Sequence, residues 1–127
     1  MKRILVIDDE AGARQLMRRL LEREGYFIVE AKDGEEGIRL FHADPCDMII
    51  TDLVMPVKDG LKTILDVREF APMVPILAIS GGGTIAKERY LSAASFIERV
   101  ERLAKPFTRE EMVGLVRRML NDDLVTE

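Results

Sequence analysis

Short apolar runs alternate along this chain with stretches in which apolar residues recur every three or four positions. The first run, Ile4-Leu5-Val6-Ile7, is continuous. Such a run fits a strand covered on both faces, and predicts a strand over Arg3–Asp8. A helix follows over Gly12–Glu24, with Leu16, Leu20 and the flanking Met17 and Leu21 as its inner stripe, and Gly25 ends it. Phe27–Ala31 reads as a second strand, Asp33-Gly34 as a turn, and Glu35–His42 as a short helix burying Ile38 and Phe41. After Pro45, Met48–Thr51 forms a third strand that ends at Asp52. Asp59-Gly60 closes a loop, and a helix over Leu61–Phe70 turns Ile64 and Leu65 inward. Pro72 and Pro75 bracket the passage to a fourth strand, Ile76–Ile79, which ends at Ser80. A helix over Thr84–Ile97 and a weak strand near Glu101–Ala104 follow, the latter stopped by Lys105-Pro106-Phe107. Thr108 and Glu111 stand at capping-box spacing before Met112, Val113, Val116, Met119 and Leu120, which recur at helical period.

Five strands alternating with five helices predict an α/β fold, a (βα)5 doubly wound parallel sheet with helices on both faces. The functional crevice of such a sheet lies beyond the carboxyl ends of its strands, at the topological switch point. Strand one ends in Asp8-Asp9-Glu10, strand three in Asp52, strand four in Ser80 and strand five in Lys105. In the flavodoxin-like strand order 2-1-3-4-5 these ends converge on one pocket.

Composition narrows the chemistry. At 127 residues the chain is one domain's worth, assigned as residues 1–121 with a polar tail over 122–127. A net charge of −4 argues against a direct nucleic-acid interface, which carries a basic footprint. No apolar run is long enough to cross a membrane. The N-terminal apolar stretch is four residues long and runs into acids, so it does not read as a signal peptide. The single cysteine, Cys46, forms no internal disulfide and no cysteine-built zinc site, and a cytoplasmic location is expected. Cys46 reads as a packing residue and His42 as a surface residue.

The strand-end set has a definite chemistry. Three crowded carboxylates, Asp8, Asp9 and Asp52, either raise a pKa or recruit a cation. A hard, oxygen-loving ion such as Mg²⁺ neutralises them and keeps positions for water or phosphate oxygens. Asp52 can then act as a nucleophile and form an acyl phosphate. The Lys105 ammonium and the Ser80 hydroxyl suit the oxygens of a transferred phosphoryl group. Each residue alone has an ordinary explanation: a solvated loop acid, a helix cap, a strand terminator, a turn. Their joint placement at four strand ends is what argues for a site. The glycines after Ser80 lack the Gly-Lys-Ser/Thr of a P-loop, so they do not read as a nucleotide site.

The segments Ile4-Leu5-Val6-Ile7-Asp8-Asp9-Glu10, Asp52-Leu53-Val54-Met55-Pro56-Val57-Lys58-Asp59-Gly60, Ile79-Ser80-Gly81 and Leu103-Ala104-Lys105-Pro106-Phe107 together resemble the receiver domains of two-component response regulators. The resemblance spans essentially residues 1–121. It implies that Asp52 is the phosphoacceptor. It implies that Asp9 and Asp52 bind Mg²⁺ directly, that Asp8 helps through water, and that the Val54 carbonyl is a third protein ligand. Ser80 and Lys105 match the hydroxyl and lysine that attend the phosphoryl group. The implied donor is a histidine kinase or a histidine phosphotransfer protein. The implied output is a downstream protein partner or a fused output domain. The chemistry is self-catalysed phosphoryl transfer and slow autodephosphorylation, not turnover of a substrate. The alternative is a pseudo-receiver, a binding module used without phosphorylation.

Six positions refine the expectation. Receivers usually carry Tyr or Phe three residues before the lysine, where this chain has Arg102. A guanidinium is costly to bury in an apolar slot, so Arg102 is expected to stay outside, contacting a partner or pairing with an acid. In receivers the positions that Val54 and Gly82 occupy flank the path of the water that would hydrolyse the phosphoryl group, and an apolar Val54 cannot hydrogen-bond it, which predicts a lifetime of hours. Arg14, Arg18 and Arg19 read as one solvated helix face that could also help to dock a kinase.

Overall fold

A computed structural model of the chain describes residues 1–53, 55, 59–81 and 99–122. Five strands, β1 (Arg3–Ile7), β2 (Phe27–Ala31), β3 (Met48–Asp52), β4 (Ile76–Ser80) and β5 (Val100–Ala104), form one sheet in the order β2-β1-β3-β4-β5. Every pairing is parallel. The described helices are α1 (Ala11–Glu22), α2 (Gly34–Ala43), α3 (Gly60–Phe70) and α4 (Arg109–Met119). The expected helix over 84–97 lies outside the described residues.

Side-chain alternation along the central strands builds two apolar layers. Ile4 and Val6 of β1, Met48 and Ile50 of β3, and Leu77 and Ile79 of β4 pack with Met17 and Leu21 of α1 and with Met112 and Val116 of α4. Leu5, Ile7, Ile49, Ile76 and Ala78 pack on the other face with Phe41 of α2 and Ile64 and Val67 of α3. Burying each of the larger of these side chains contributes roughly 1.5–3 kcal/mol, and strands covered on both faces need the unbroken apolar runs seen here. β5 is an edge strand and is mostly exposed, which is why its sequence pattern is weak.

Local signals set the helix starts. The Thr108 hydroxyl accepts from the Glu111 amide at 3.0 Å, and the Glu111 carboxylate accepts from the Thr108 amide at 2.8 Å, completing the capping box. Asp33 caps α2 and Asp59 caps α3 through their carboxylates. Cys46 is buried, as expected, and burial pushes its thiol pKa up.

Two expected core residues face outward. Leu16 is 52% exposed and Leu65 is 51% exposed. Each sits beside an apolar neighbour, and a helix can present only one of an adjacent pair squarely to the sheet. In α1 the pair Met17 and Leu21, one turn apart, takes the inner face. In α3 Gly60, Thr63, Ile64 and Val67 do so. The C-terminal end of α4 is tied to the start of the chain. Lys2 Nζ donates to the Leu120 carbonyl at 2.8 Å, and the Tyr26 hydroxyl donates to Asp122 Oδ2 at 3.0 Å. Burial first, then this bond, pushes the Tyr26 phenol up to about 12.

Candidate functional site

β1 stops at Ile7, so Asp8 and Asp9 are the first residues past the sheet. Ile7 is in register with Thr51, which sets Asp8 level with Asp52 at the end of β3. Asp52 is in register with Ile79, and Ser80 with Ala104, which places Ser80 and Lys105 at the same edge. The register thus delivers the three acids, the hydroxyl and the ammonium to one end of the sheet. Carboxylate oxygens of Asp8, Asp9 and Asp52 all lie within 4.8 Å of one another. Lys105 Nζ stands 3.5 Å from Asp8 Oδ2.

Burial divides the acids. Asp8 is fully buried and Asp9 is exposed. One Asp8 oxygen, Oδ1, accepts from the Glu10 amide at 2.9 Å. The other, Oδ2, is buried and has no hydrogen-bond donor among the described residues, and the buried Ser80 Oγ likewise has no partner among them. An uncompensated buried carboxylate oxygen is costly, and its ion pair among the described residues is with the Lys105 ammonium. Three hard oxygen donors at this spacing, one of them buried and unsatisfied, fit a divalent cation that prefers oxygen.

The floor of the site is close-packed. The Gly60 amide donates to the Leu53 carbonyl at 2.7 Å, bringing the first turn of α3 against the end of β3. A Cβ on Gly60 would meet the Asp52 carbonyl oxygen at 2.1 Å, so only glycine fits. The Lys105 amide donates to the Ser80 carbonyl at 2.8 Å, extending the β4–β5 ladder to the two residues that carry the hydroxyl and the ammonium. Gly81 lies under the Lys105 side chain, where a Cβ would come within 3.1 Å of its Cδ.

Of the expected site residues, Asp8, Asp9, Asp52, Ser80 and Lys105 come to this one edge, while Val54 lies outside the described residues, as does Gly82. Arg102 is exposed on β5 and makes no ion pair among the described residues, so it stays outside the fold. One expectation is corrected. Arg14 does not belong to a solvated face with Arg18 and Arg19. Its guanidinium donates through NH1 to the Asp8 carbonyl at 2.6 Å and through Nε to Glu30 Oε1 at 3.1 Å. Glu30 is held below the usual carboxylate range, by its bond from Arg18 first and by Arg14 after it. The signal for this lay in β2: a glutamate inside an apolar strand calls for a cation, and Arg14 is one turn along the neighbouring helix.

Fold and site together define a flavodoxin-like α/β domain with an acidic pocket at its switch point. Residues 4–117 match the response regulator receiver domain family. The chain belongs to that family, and it is a receiver domain of the two-component response regulators. It is 36% identical over 118 residues to the transcriptional regulatory protein ResD of Bacillus subtilis, covering 93% of this chain and 48% of that protein. The chemotaxis protein CheY4 of Vibrio cholerae superposes with a TM-score of 0.81 at 28% identity, covering 94% of this chain and 98% of that one. NtrX of Brucella abortus superposes with a TM-score of 0.85 at 26% identity, covering 94% of this chain and 27% of that one. The chain spans about half the length of the curated relatives it matches. The pseudo-receiver alternative finds no support in these relatives. No described helix is long and apolar enough to cross a membrane.

Proposed function

We propose that this domain takes a phosphoryl group onto the Asp52 carboxylate from the phosphohistidine of a histidine kinase or histidine phosphotransfer protein. Asp9, Asp52 and the Val54 carbonyl would hold Mg²⁺, with Asp8 helping largely through water. The ion, when bound, offsets the carboxylate charge and draws phosphoryl oxygens into place. Asp52 supplies the nucleophilic oxygen, and the phosphohistidine nitrogen leaves with the electron pair of the broken P–N bond. The Lys105 ammonium offsets charge on the transferred group, and the Ser80 hydroxyl donates to one of its oxygens. Phosphoryl transfer needs little from a protein beyond positioning and charge, and this set offers both.

The observation that carries the reading is the gathering of three carboxylates within 4.8 Å beside the Lys105 ammonium and a buried Ser80 hydroxyl that lacks a partner among the described residues. The chemistry is self-catalysed and stoichiometric, the protein works in the cytoplasm, and its output passes to a docked protein or a fused output domain by a shift between two states. Incubation with acetyl phosphate or phosphoramidate and Mg²⁺, followed by intact-mass analysis, tests it. A gain of about 80 Da, the mass added by one phosphoryl group, is expected in the parent and absent in Asp52→Ala. A gain that survives in Asp52→Ala would refute the assignment.

A further inference from the structure

The turn from β1 to α1 carries two of the three clustered acids, yet it lacks the usual means of holding a helix start. The N-cap residue of α1, Glu10, makes no side-chain capping bond, and no acid stands in the first turn. The Asp8 carbonyl points beyond the last rung of the sheet. Its donor is the Arg14 guanidinium, which reaches it at 2.6 Å from one turn up the helix. Arg14 is itself held from outside the turn. Glu30 of β2 takes its Nε at 3.1 Å and takes Arg18 NH1 at 2.8 Å on the other carboxylate oxygen. Arg18 is braced in turn by Glu22 at 2.9 Å. The Arg14 side chain is only 17% exposed and that of Glu30 22% exposed, so this is not a loose surface pair.

We infer that Arg14 is a positioning residue for the divalent cation: its guanidinium forks between the Asp8 carbonyl and Glu30 and fixes the backbone from which the Asp8 and Asp9 carboxylates project. The inference rests on the proposal that these acids hold Mg²⁺. Groups that orient metal ligands from behind are worth tenfold or more in affinity at many sites. The fork requires a planar guanidinium with fixed donors, and a lysine ammonium cannot serve both acceptors in the same geometry. The charge of Arg14 works the other way. A cation beside an acidic metal site repels Mg²⁺, and Glu30 offsets that charge. Positioning and repulsion therefore predict opposite signs when the charge is removed.

Titration of Mg²⁺ into the full chain by calorimetry decides between them, with urea unfolding run on every variant to confirm that it is folded. Arg14→Gln and Arg14→Lys are each expected to weaken Mg²⁺ binding about tenfold. Amide exchange at Glu10, whose amide is held by Asp8 Oδ1 at 2.9 Å, is expected to quicken in Arg14→Gln, a local loosening that lost global stability alone would not confine to this turn. Glu30→Gln, which leaves Arg14 in place without its anchor, is expected to weaken binding by a smaller factor. Affinity in Arg14→Gln that is tighter than, or within twofold of, the parent would overturn the role. If Arg14→Gln does not fold, unchanged affinity in Glu30→Gln overturns it. Asp9→Asn separates the two levels of the argument. A parent that binds no Mg²⁺, or Asp9→Asn binding as the parent does, would remove the metal site and the role of Arg14 with it.

Discussion

Replacing Gly60 by alanine places a methyl group inside the floor of the acidic pocket. Its Cβ would lie 2.1 Å from the Asp52 carbonyl oxygen, 2.6 Å from the Leu53 Cα and 2.9 Å from the Asp52 carbonyl carbon. Relaxed contacts between such atoms need roughly 3.5 Å, so the first turn of α3 and the end of β3 must separate by more than about 1 Å. All three obstructing atoms are backbone, and no side-chain rotation relieves the clash. Overpacking of this kind costs about 1–3 kcal/mol, and stretching the 2.7 Å bond from the Gly60 amide to the Leu53 carbonyl adds about 1 kcal/mol. The better helix propensity of alanine returns up to about 1 kcal/mol, and less at a helix's first residue. The net expectation is a loss of about 1–4 kcal/mol, read as a urea midpoint lowered by roughly 0.5–2 M. Because the displaced carbonyl belongs to Asp52, acetyl-phosphate labelling of the folded variant is also expected to slow. Gly114→Ala in α4 is the control, since a Cβ there meets nothing within 4 Å and the change should be neutral or mildly stabilising. A Gly60→Ala protein as stable as the parent, labelled at the parent rate, would refute the close-packing argument.

Other outcomes follow from single features. The Tyr26 phenol, raised to about 12 against an ordinary 10, favours the folded state below pH 10, and that contribution is lost as pH climbs towards 12. Urea midpoints measured at pH 9 and pH 11 should therefore fall with pH in the parent and fall less in Tyr26→Phe; equal slopes would count against the burial of the phenol, and with it the Asp122 contact. Thr108→Ala removes the capping box of α4 and is expected to lower stability by about 1 kcal/mol in chemical unfolding, with Thr108→Ser retaining most of it. The apolar Val54, unable to hold a water by hydrogen bonding, predicts a phosphoryl group that persists for hours without a phosphatase. Mass analysis over time would disprove this if the half-life were below a minute.

Much of the fold is legible because its strands are covered on both sides. The runs Ile4–Ile7, Met48–Ile50 and Ile76–Ile79 declare themselves by continuous apolarity, and the site uses the residue directly after the first and last, Asp8 and Ser80, and the second residue after the middle one, Asp52. What periodicity leaves open is the choice within adjacent apolar pairs. Leu16 beside Met17 and Leu65 beside Ile64 both satisfy a helical stripe, and only the angle at which the helix meets the sheet decides. Gly60 is visible in sequence as a turn residue, whereas its contact with Asp52 depends on a distance between two elements. Arg14 is hidden for the same reason: its neighbours Arg18 and Arg19 suggest a solvated face, while the Asp8 carbonyl and Glu30 that claim it come from other segments.

The two-sided burial of β1 has a consequence for how its alignment is held. A strand with polar residues on one face resists sliding, because a one-residue slip would drive those residues into the core. Ile4, Leu5, Val6 and Ile7 are all buried, so β1 has no such internal guard. Its stops are at the ends. Arg3 exchanges bonds with Asp47, its amide to the Oδ2 and its carbonyl from the amide, each at 2.8 Å. The Asp8 amide is pinned to the Ala31 carbonyl at 3.1 Å. A slip of one step would exchange the buried carboxylate for the exposed one and take Lys105 away from its partner, so the paired hydrogen bonds between Arg3 and Asp47 at the start of the strand guard the chemistry at its end.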